Sequence, residues 1–172
     1  MILCPYCRSE NIEGADECAE CGQPLNDTHL MPPHSEVERS LLRDRVSVLS
    51  SKEPITVAPT TPVGEVLRFM IERRIGCVIV ADGNQPVGIF SERDALRKIN
   101  TDAAQLATRP VREFMTPNPQ TLVADAKVAF AVQRMDVGGF RHLPIIDEGG
   151  ELVGIISARD ILRYLTDNLV RA

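Results

Sequence analysis

The chain has 172 residues, room for one or two small domains, and its 44% apolar and 25% charged content is that of an ordinary soluble globular protein. With no Trp and 4% aromatic residues it has little material for stacking single-stranded bases. Its longest apolar run, Cys77 to Ala81, is far too short to span a bilayer, so no membrane association is expected.

Met1-Ile2-Leu3-Cys4 shows no basic start followed by an apolar stretch, so no secretory signal is visible and a cytoplasmic location is expected. Paired cysteines in that setting suggest metal before disulfide. Cys4-Pro5-Tyr6-Cys7 and Cys18-Ala19-Glu20-Cys21 supply four thiolates, the number that tetrahedral zinc takes in a closed structural site. So short a segment has almost no core, and metal binding would supply its folding energy. Two disulfides are the competing reading. His29 and His34 are possible ligands in principle, but four cysteines already fill the shell. Residues 4–25 resemble the short zinc-ribbon family, with Arg8 where that family usually has Gly. The segment is acidic: residues 1–30 carry six acids (Glu10, Glu13, Asp16, Glu17, Glu20, Asp27) against Arg8, a net −5 that equals the whole formal charge.

The expected organisation is a ribbon over 1–26, a linker and short helix over 27–45, and two repeats over 46–106 and 107–172. Pro32-Pro33 stiffens the linker. Ser35-Glu36-Val37-Glu38 is a capping box that opens a helix with Val37, Leu41 and Leu42 on one face, ending near Arg45.

In the first repeat, Ile55-Thr56-Val57 reads as a strand. Thr60-Thr61-Pro62 starts a helix, with threonine caps and Pro in the first turn. Val63, Val66, Leu67 and Met70 form its apolar face. Gly76 to Ala81 and Val87 to Phe90 are strands joined at Asp82-Gly83-Asn84, and Ser91 begins a helix to about Ile99. The second repeat follows suit. Thr121-Leu122-Val123 is a strand, and a helix from Asp125 points Val128, Ala131, Val132 and Met135 inward. Strands Leu143 to Ile146 and Val153 to Ile156 follow, then a helix from Ser157 to about Leu165. Thr56, Val63, Met70 and Asp82 match Thr121, Val128, Met135 and Asp147 at one offset. That offset grows by one in the turn before Gly88 and Gly154, and Gly-x-x-Ser-x-Arg-Asp then recurs at Gly88–Asp94 and Gly154–Asp160.

A β-α-β-β-α unit present twice, together with Phe114-Met115-Thr116-Pro117 and Arg141-His142-Leu143-Pro144-Ile145-Ile146-Asp147, resembles the CBS domain pair, or Bateman module, over about 45–166. The resemblance implies an α+β fold in which tandem repeats pack sheet to sheet about a pseudo-two-fold axis, with two clefts that in many members bind adenine nucleotides. It also implies a homodimer formed through the helices after Thr60 and Asp125.

Ser-x-x-Asp at a helix start has two readings. Ser91 and Ser157 can simply cap, with Asp94 and Asp160 favouring the positive end of the dipole. Alternatively, free amides there attract phosphate and the carboxylate accepts ribose hydroxyls, as in dinucleotide folds. By the resemblance, Arg141 and His142 lie at phosphate. Gly76 and Cys77 take their places in the first repeat, leaving a poorer site, with Cys77 read as a small buried residue. For the Asp160 cleft, adenine would rest near Ile55 and Ile75, ribose would meet Asp160, and phosphate would meet Ser157, Arg141 and His142. The full binding set expected is Ile55, Ile75, Cys77, Ser91, Arg93, Asp94, Arg141, His142, Ser157, Arg159 and Asp160, with zinc on Cys4, Cys7, Cys18 and Cys21.

No catalytic set appears. The expected function is a non-enzymatic regulator: the repeats bind AMP, ADP, ATP or S-adenosylmethionine, and the ribbon engages a protein partner. Two alternatives stand beside it, a nucleic-acid-binding ribbon, disfavoured by its acidity, and a scaffold with empty clefts.

Overall fold

A computed structural model describes residues 1–4, 9–25, 35–49 and 51–171, with side chains through 169. Cys7, Arg8 and the linker residues His29, Pro32, Pro33 and His34 lie outside the described residues. The chain gathers into two compact units: 1–50, 122–141 and 157–172 form one, and 51–121 and 142–156 the other. Each repeat contributes to both.

The first unit begins with a two-stranded antiparallel ribbon, β1 (Ile2–Leu3) and β2 (Glu10–Asn11), paired Ile2 to Asn11 and Leu3 to Glu10. Helix α1 (Glu36–Arg43) opens on the expected capping box: the Glu38 amide donates to Ser35 Oγ at 3.2 Å, and the Ser35 amide to Glu38 Oε2 at 3.2 Å. It packs against α5 (Val128–Gly138) and α6 (Ala158–Arg171). Tyr164 on α6 donates its hydroxyl to Asp44 Oδ2 at 2.8 Å. Burial, with that bond adding, pushes the Tyr164 hydroxyl up to about 12. The buried apolar residues of this unit, among those described, include Val46, Leu49, Leu122, Ala126, Val128, Ala131 and Ile161.

Two expectations change here. Helix α5 begins at Val128 rather than Asp125, because the Val128 amide is satisfied by the Asp44 carbonyl at 2.9 Å. Its buried set is Val128, Ala131 and Arg134, with Val132 and Met135 half-buried. Helix α6 runs to Arg171, well past Leu165. Its polar residues do not break it: Thr166 Oγ1 donates to the Leu162 carbonyl at 2.8 Å and Asn168 Nδ2 to that of Tyr164 at 2.9 Å, the i to i−4 back-bonding open to short polar side chains.

The second unit is built on a four-stranded sheet in the order β3 (Thr56–Val57), β4 (Cys77–Asp82), β5 (Gln85–Ser91), β6 (Thr116–Pro117). β3 runs parallel to β4 and the other pairs are antiparallel. β4 is apolar because it is covered: Val78, Ile79 and Val80 are each no more than 1% exposed. Helix α2 (Val63–Arg73) lays Val63, Val66 and Met70 on this core, which also holds Phe90, Ile99, Val111 and Phe114. Burying each such side chain contributes about 1.5–3 kcal/mol. The β4–β5 turn is the two residues Gly83-Asn84, with Gly83 at φ 59, the left-handed backbone such turns require. The second hairpin, β8 (His142–Ile146) and β9 (Leu152–Ser157), also belongs to this unit except for Ser157.

Pro62 occupies the N-cap of α2 and no threonine caps it. The chain itself does that work: the Val63 amide donates to the Arg109 carbonyl at 2.8 Å and Gly64 to that of Ala107 at 2.9 Å. After Ser91, α3 (Glu92–Asp94) is a single turn that widens into a π-helical turn over Ala95–Ile99, and α4 (Ala103–Leu106) and β7 (Leu122–Val123) follow.

Candidate functional site

The ribbon brings three of the four expected sulfurs together. Cys4, Cys18 and Cys21 have Sγ atoms within 4.8 Å of one another, and Cys4 Sγ stands 3.7 Å from Cys21 Sγ. A zinc–sulfur bond of about 2.3 Å gives a tetrahedral edge of about 3.8 Å, whereas a disulfide is about 2.05 Å. The donor set therefore fits zinc. Cys7, the fourth expected ligand, lies outside the described residues. Two groups that sequence reasoning missed surround Cys18: Ser9 Oγ at 3.0 Å and Asn11 Nδ2, which donates at 3.6 Å. Buried Asn11 also ties the two knuckles together, donating to the Ser9 carbonyl at 2.8 Å and accepting from the Ala19 amide at 3.0 Å. Asn11 lies between the two cysteine pairs, and its amide can bond in both directions, which is the one signal that could have marked it.

The two Ser-x-x-Asp stretches adopt the same local geometry. In each, the Asp Oδ2 accepts from the backbone amide and hydroxyl of its Ser: 3.0 and 2.6 Å for Asp94 with Ser91, 2.8 and 2.6 Å for Asp160 with Ser157. The preceding strands are anchored alike, with the Glu92 amide donating to the Gly76 carbonyl at 3.0 Å and the Ala158 amide to the Arg141 carbonyl at 2.8 Å. The correspondence of Gly76 with Arg141 is thus a hydrogen-bond equivalence as well as a sequence offset.

The second oxygens differ. Asp94 Oδ1 accepts from Thr116 Oγ1 at 3.0 Å and pairs with Lys98 Nζ at 3.0 Å. Burial acts to raise the Asp94 pKa, and the Ser91, Lys98 and Thr116 donors outweigh it, holding the carboxyl below its ordinary value. Asp160 is more deeply buried, 4% exposed, and its Oδ1 has no hydrogen-bond partner among the described residues. The Arg163 guanidinium stands 3.5 Å away, an ion pair without a hydrogen bond. A buried acceptor in this state costs about 1–3 kcal/mol until a donor reaches it.

Ser157, Arg159, Asp160 and Arg141 fall in the first unit, the last adjoining the start of α6 through its carbonyl. Ile55, Ile75, Cys77, Ser91, Arg93, Asp94 and His142 fall in the second. Ile55 and Ile75 pack against the core of that unit, and Arg93 and Arg159 are exposed. The His142 ring lies over Gly76: a Cβ there would be 3.4 Å from His142 Cε1 and 3.6 Å from Glu92 Oε2. Cys77 is buried, and burial, with the Glu92 charge adding, pushes its thiol up to about 12. No described helix is long and apolar enough to cross a membrane.

The CBS domain family matches this chain twice, over residues 45–101 and 111–167. An uncharacterised 17.7 kDa protein of Acidianus ambivalens is 36% identical over 125 residues, covering 72% of this chain and 74% of that protein. The chain spans only 21–23% of the length of CBS domain-containing proteins of Arabidopsis thaliana that it also matches. Among solved structures, a CBS domain protein of Pyrobaculum aerophilum complexed with AMP is 28% identical with a TM-score of 0.64, covering 75% of this chain and 100% of that one. The CBS domain pair of protein MJ0100, in complex with 5'-methylthioadenosine and S-adenosyl-L-methionine, is 25% identical with a TM-score of 0.62, covering 72% and 97%.

Proposed function

Because this chain belongs to the CBS domain family, we propose that it is a non-enzymatic regulatory protein whose second repeat binds an adenosine-containing ligand at Ser157 and Asp160. The observation that carries this reading is the buried Oδ1 of Asp160, without a hydrogen bond, in the first turn of a helix of 14 residues. A ribose hydroxyl is a donor suited to that oxygen, and phosphate suits the positive end of the helix and the fork of donors on Arg141. The AMP and S-adenosyl-L-methionine complexes of the Pyrobaculum and MJ0100 proteins support the ligand class. Isothermal calorimetry of the full chain with AMP, ATP and S-adenosylmethionine tests it. Saturable binding of at least one is expected, and heats indistinguishable from dilution for all three would overturn the reading.

The ribbon is read as a zinc-bound protein-interaction element of a cytoplasmic protein. Cysteines that hold a metal rather than a disulfide suit a reducing compartment. Alternation along β1 and β2 turns Asn11 inward and leaves Met1, Leu3 and Ile12, 79%, 58% and 73% exposed, for the outer face. A homodimer is read from α2 and α5, which leave Ile71 and Val137 about four-fifths exposed. Light scattering at high micromolar concentration should give twice the chain mass, and a stable monomer would remove the dimer from the proposal.

A further inference from the structure

We infer that Lys98 and Thr116 decide which repeat takes nucleotide: they fill the Asp94 oxygen whose counterpart in Asp160 stands open, so the chain holds one nucleotide, at Asp160. Asp94 serves instead to clamp the segment that joins the repeats. The inference rests on the nucleotide reading above and adds to it the residues that set occupancy.

The argument is a count of lone pairs and donors. A carboxylate has about four acceptor positions. Asp94 Oδ2 uses two on the Ser91 amide and hydroxyl, and Oδ1 uses two on Thr116 Oγ1 and Lys98 Nζ. No position remains for a ribose. Lys98 is spent as well: besides Asp94, its ammonium donates to the Phe114 carbonyl at 2.8 Å and the Met115 carbonyl at 2.9 Å, which accounts for all three of its protons. The joining segment is thereby held from three points, two carbonyls and the Thr116 hydroxyl. A ribose arriving at Asp94 would have to break two bonds to make two, a near-even exchange with no net gain.

The second repeat lacks this device. Tyr164 stands where Lys98 stands in the first, and its hydroxyl is committed to Asp44. Asp160 keeps the Oδ2 arrangement unchanged and leaves Oδ1 without a hydrogen bond. Arg163, 59% exposed, can swing into solvent at little cost because exposed ion pairs are weak.

The test is calorimetric titration of the full chain with AMP, paired with amide hydrogen exchange at Phe114 and Met115. Wild type should bind one AMP. Lys98→Met/Thr116→Val should bind two and exchange the Phe114 and Met115 amides at least tenfold faster. Tyr164→Lys, which places a lysine one turn beyond Asp160, should weaken AMP binding at least tenfold and serves if the double variant does not fold. Two AMP per wild-type chain, one in the double variant, or unchanged affinity in Tyr164→Lys would overturn the inference. If wild type takes up no AMP, the same titrations are read with whichever of ATP and S-adenosylmethionine it binds; uptake of none of the three would fail the nucleotide reading instead, and the exchange measurement would still judge the clamp.

Discussion

Truncating the two aspartates should separate stability from binding in opposite directions. Asp94→Ala removes the acceptor of the Ser91 amide and hydroxyl, a cap-type loss of about 0.5–2 kcal/mol. It also removes the acceptor of Thr116 Oγ1, about 1 kcal/mol. The Lys98 pair adds well under 1 kcal/mol after allowance for screening, since Lys98 is 39% exposed. The sum is about 1.5–3.5 kcal/mol, which lowers Tm by roughly 3–14 °C for a chain of this size. Asp160→Ala loses the same cap-type bonds to Ser157 but also deletes the orphaned Oδ1, and the about 1–3 kcal/mol it costs offsets the loss. Its stability should stay within about 1 kcal/mol of wild type. For AMP the order reverses. A bond to a charged acceptor contributes about 1.5–3 kcal/mol, so Asp160→Ala should weaken binding by roughly tenfold to a hundredfold, while Asp94→Ala leaves affinity nearly intact. Urea melts and calorimetry on both variants read this directly. If Asp160→Ala is the less stable of the two, or both lose AMP alike, the reasoning from the two Oδ1 atoms is wrong.

Purified protein should carry about one zinc per chain by elemental analysis, and Cys18→Ser should lose it while the far-ultraviolet circular dichroism of the repeats is kept; two intact disulfides would refute the zinc site. Cys77 should resist maleimide at pH 8–9 until the protein is denatured. Because its folded pKa lies above the unfolded value, its contribution to stability is present below about pH 9 and fades as pH rises toward 12, so urea midpoints should fall across that window in wild type and less in Cys77→Ala. Gly64→Ala should destabilise by about 1–3 kcal/mol in spite of alanine's helix propensity, because the new Cβ would lie 2.9 Å from Ala107 Cβ and 3.0 Å from its carbonyl oxygen; a neutral or stabilising result would show that the Ala107 backbone yields.

The repeats and their caps were legible because they are local. An offset between similar residues fixes the element order, and Ser-x-x-Asp predicts the Ser91 and Ser157 arrangements from spacing alone. The difference between the repeats was half legible. Asp94 and Lys98 stand at i, i+4, a spacing that brings such side chains together on a helix, while Tyr164 breaks the pattern in the second copy. Thr116 was not, since 22 residues separate it from Asp94 and only the return of β6 along β5 brings them together. Arg134 was read past because Met135, beside it, fits an apolar stripe; in the structure Arg134 is 6% exposed. The end of α6 lies past Leu165 because Thr166 and Asn168, polar residues that favour loops, bond back to carbonyls of their own helix.

The chain passes from one compact unit to the other four times, near residues 50, 121, 141 and 156. If the second unit melts while the first stays folded, it becomes two tethered loops, of about 70 and about 15 residues, rather than a free coil. Holding the ends of such loops removes entropy equivalent to about 4 and about 2.5 kcal/mol, rising only with the logarithm of loop length. Connectivity alone therefore makes partial melting less favourable than independent melting, without any contact between the units being needed. A nick in the exposed turn at Glu148-Gly149 would open the shorter loop and release that share, so a single backbone cut far from any ligand would lower the stability of the whole molecule.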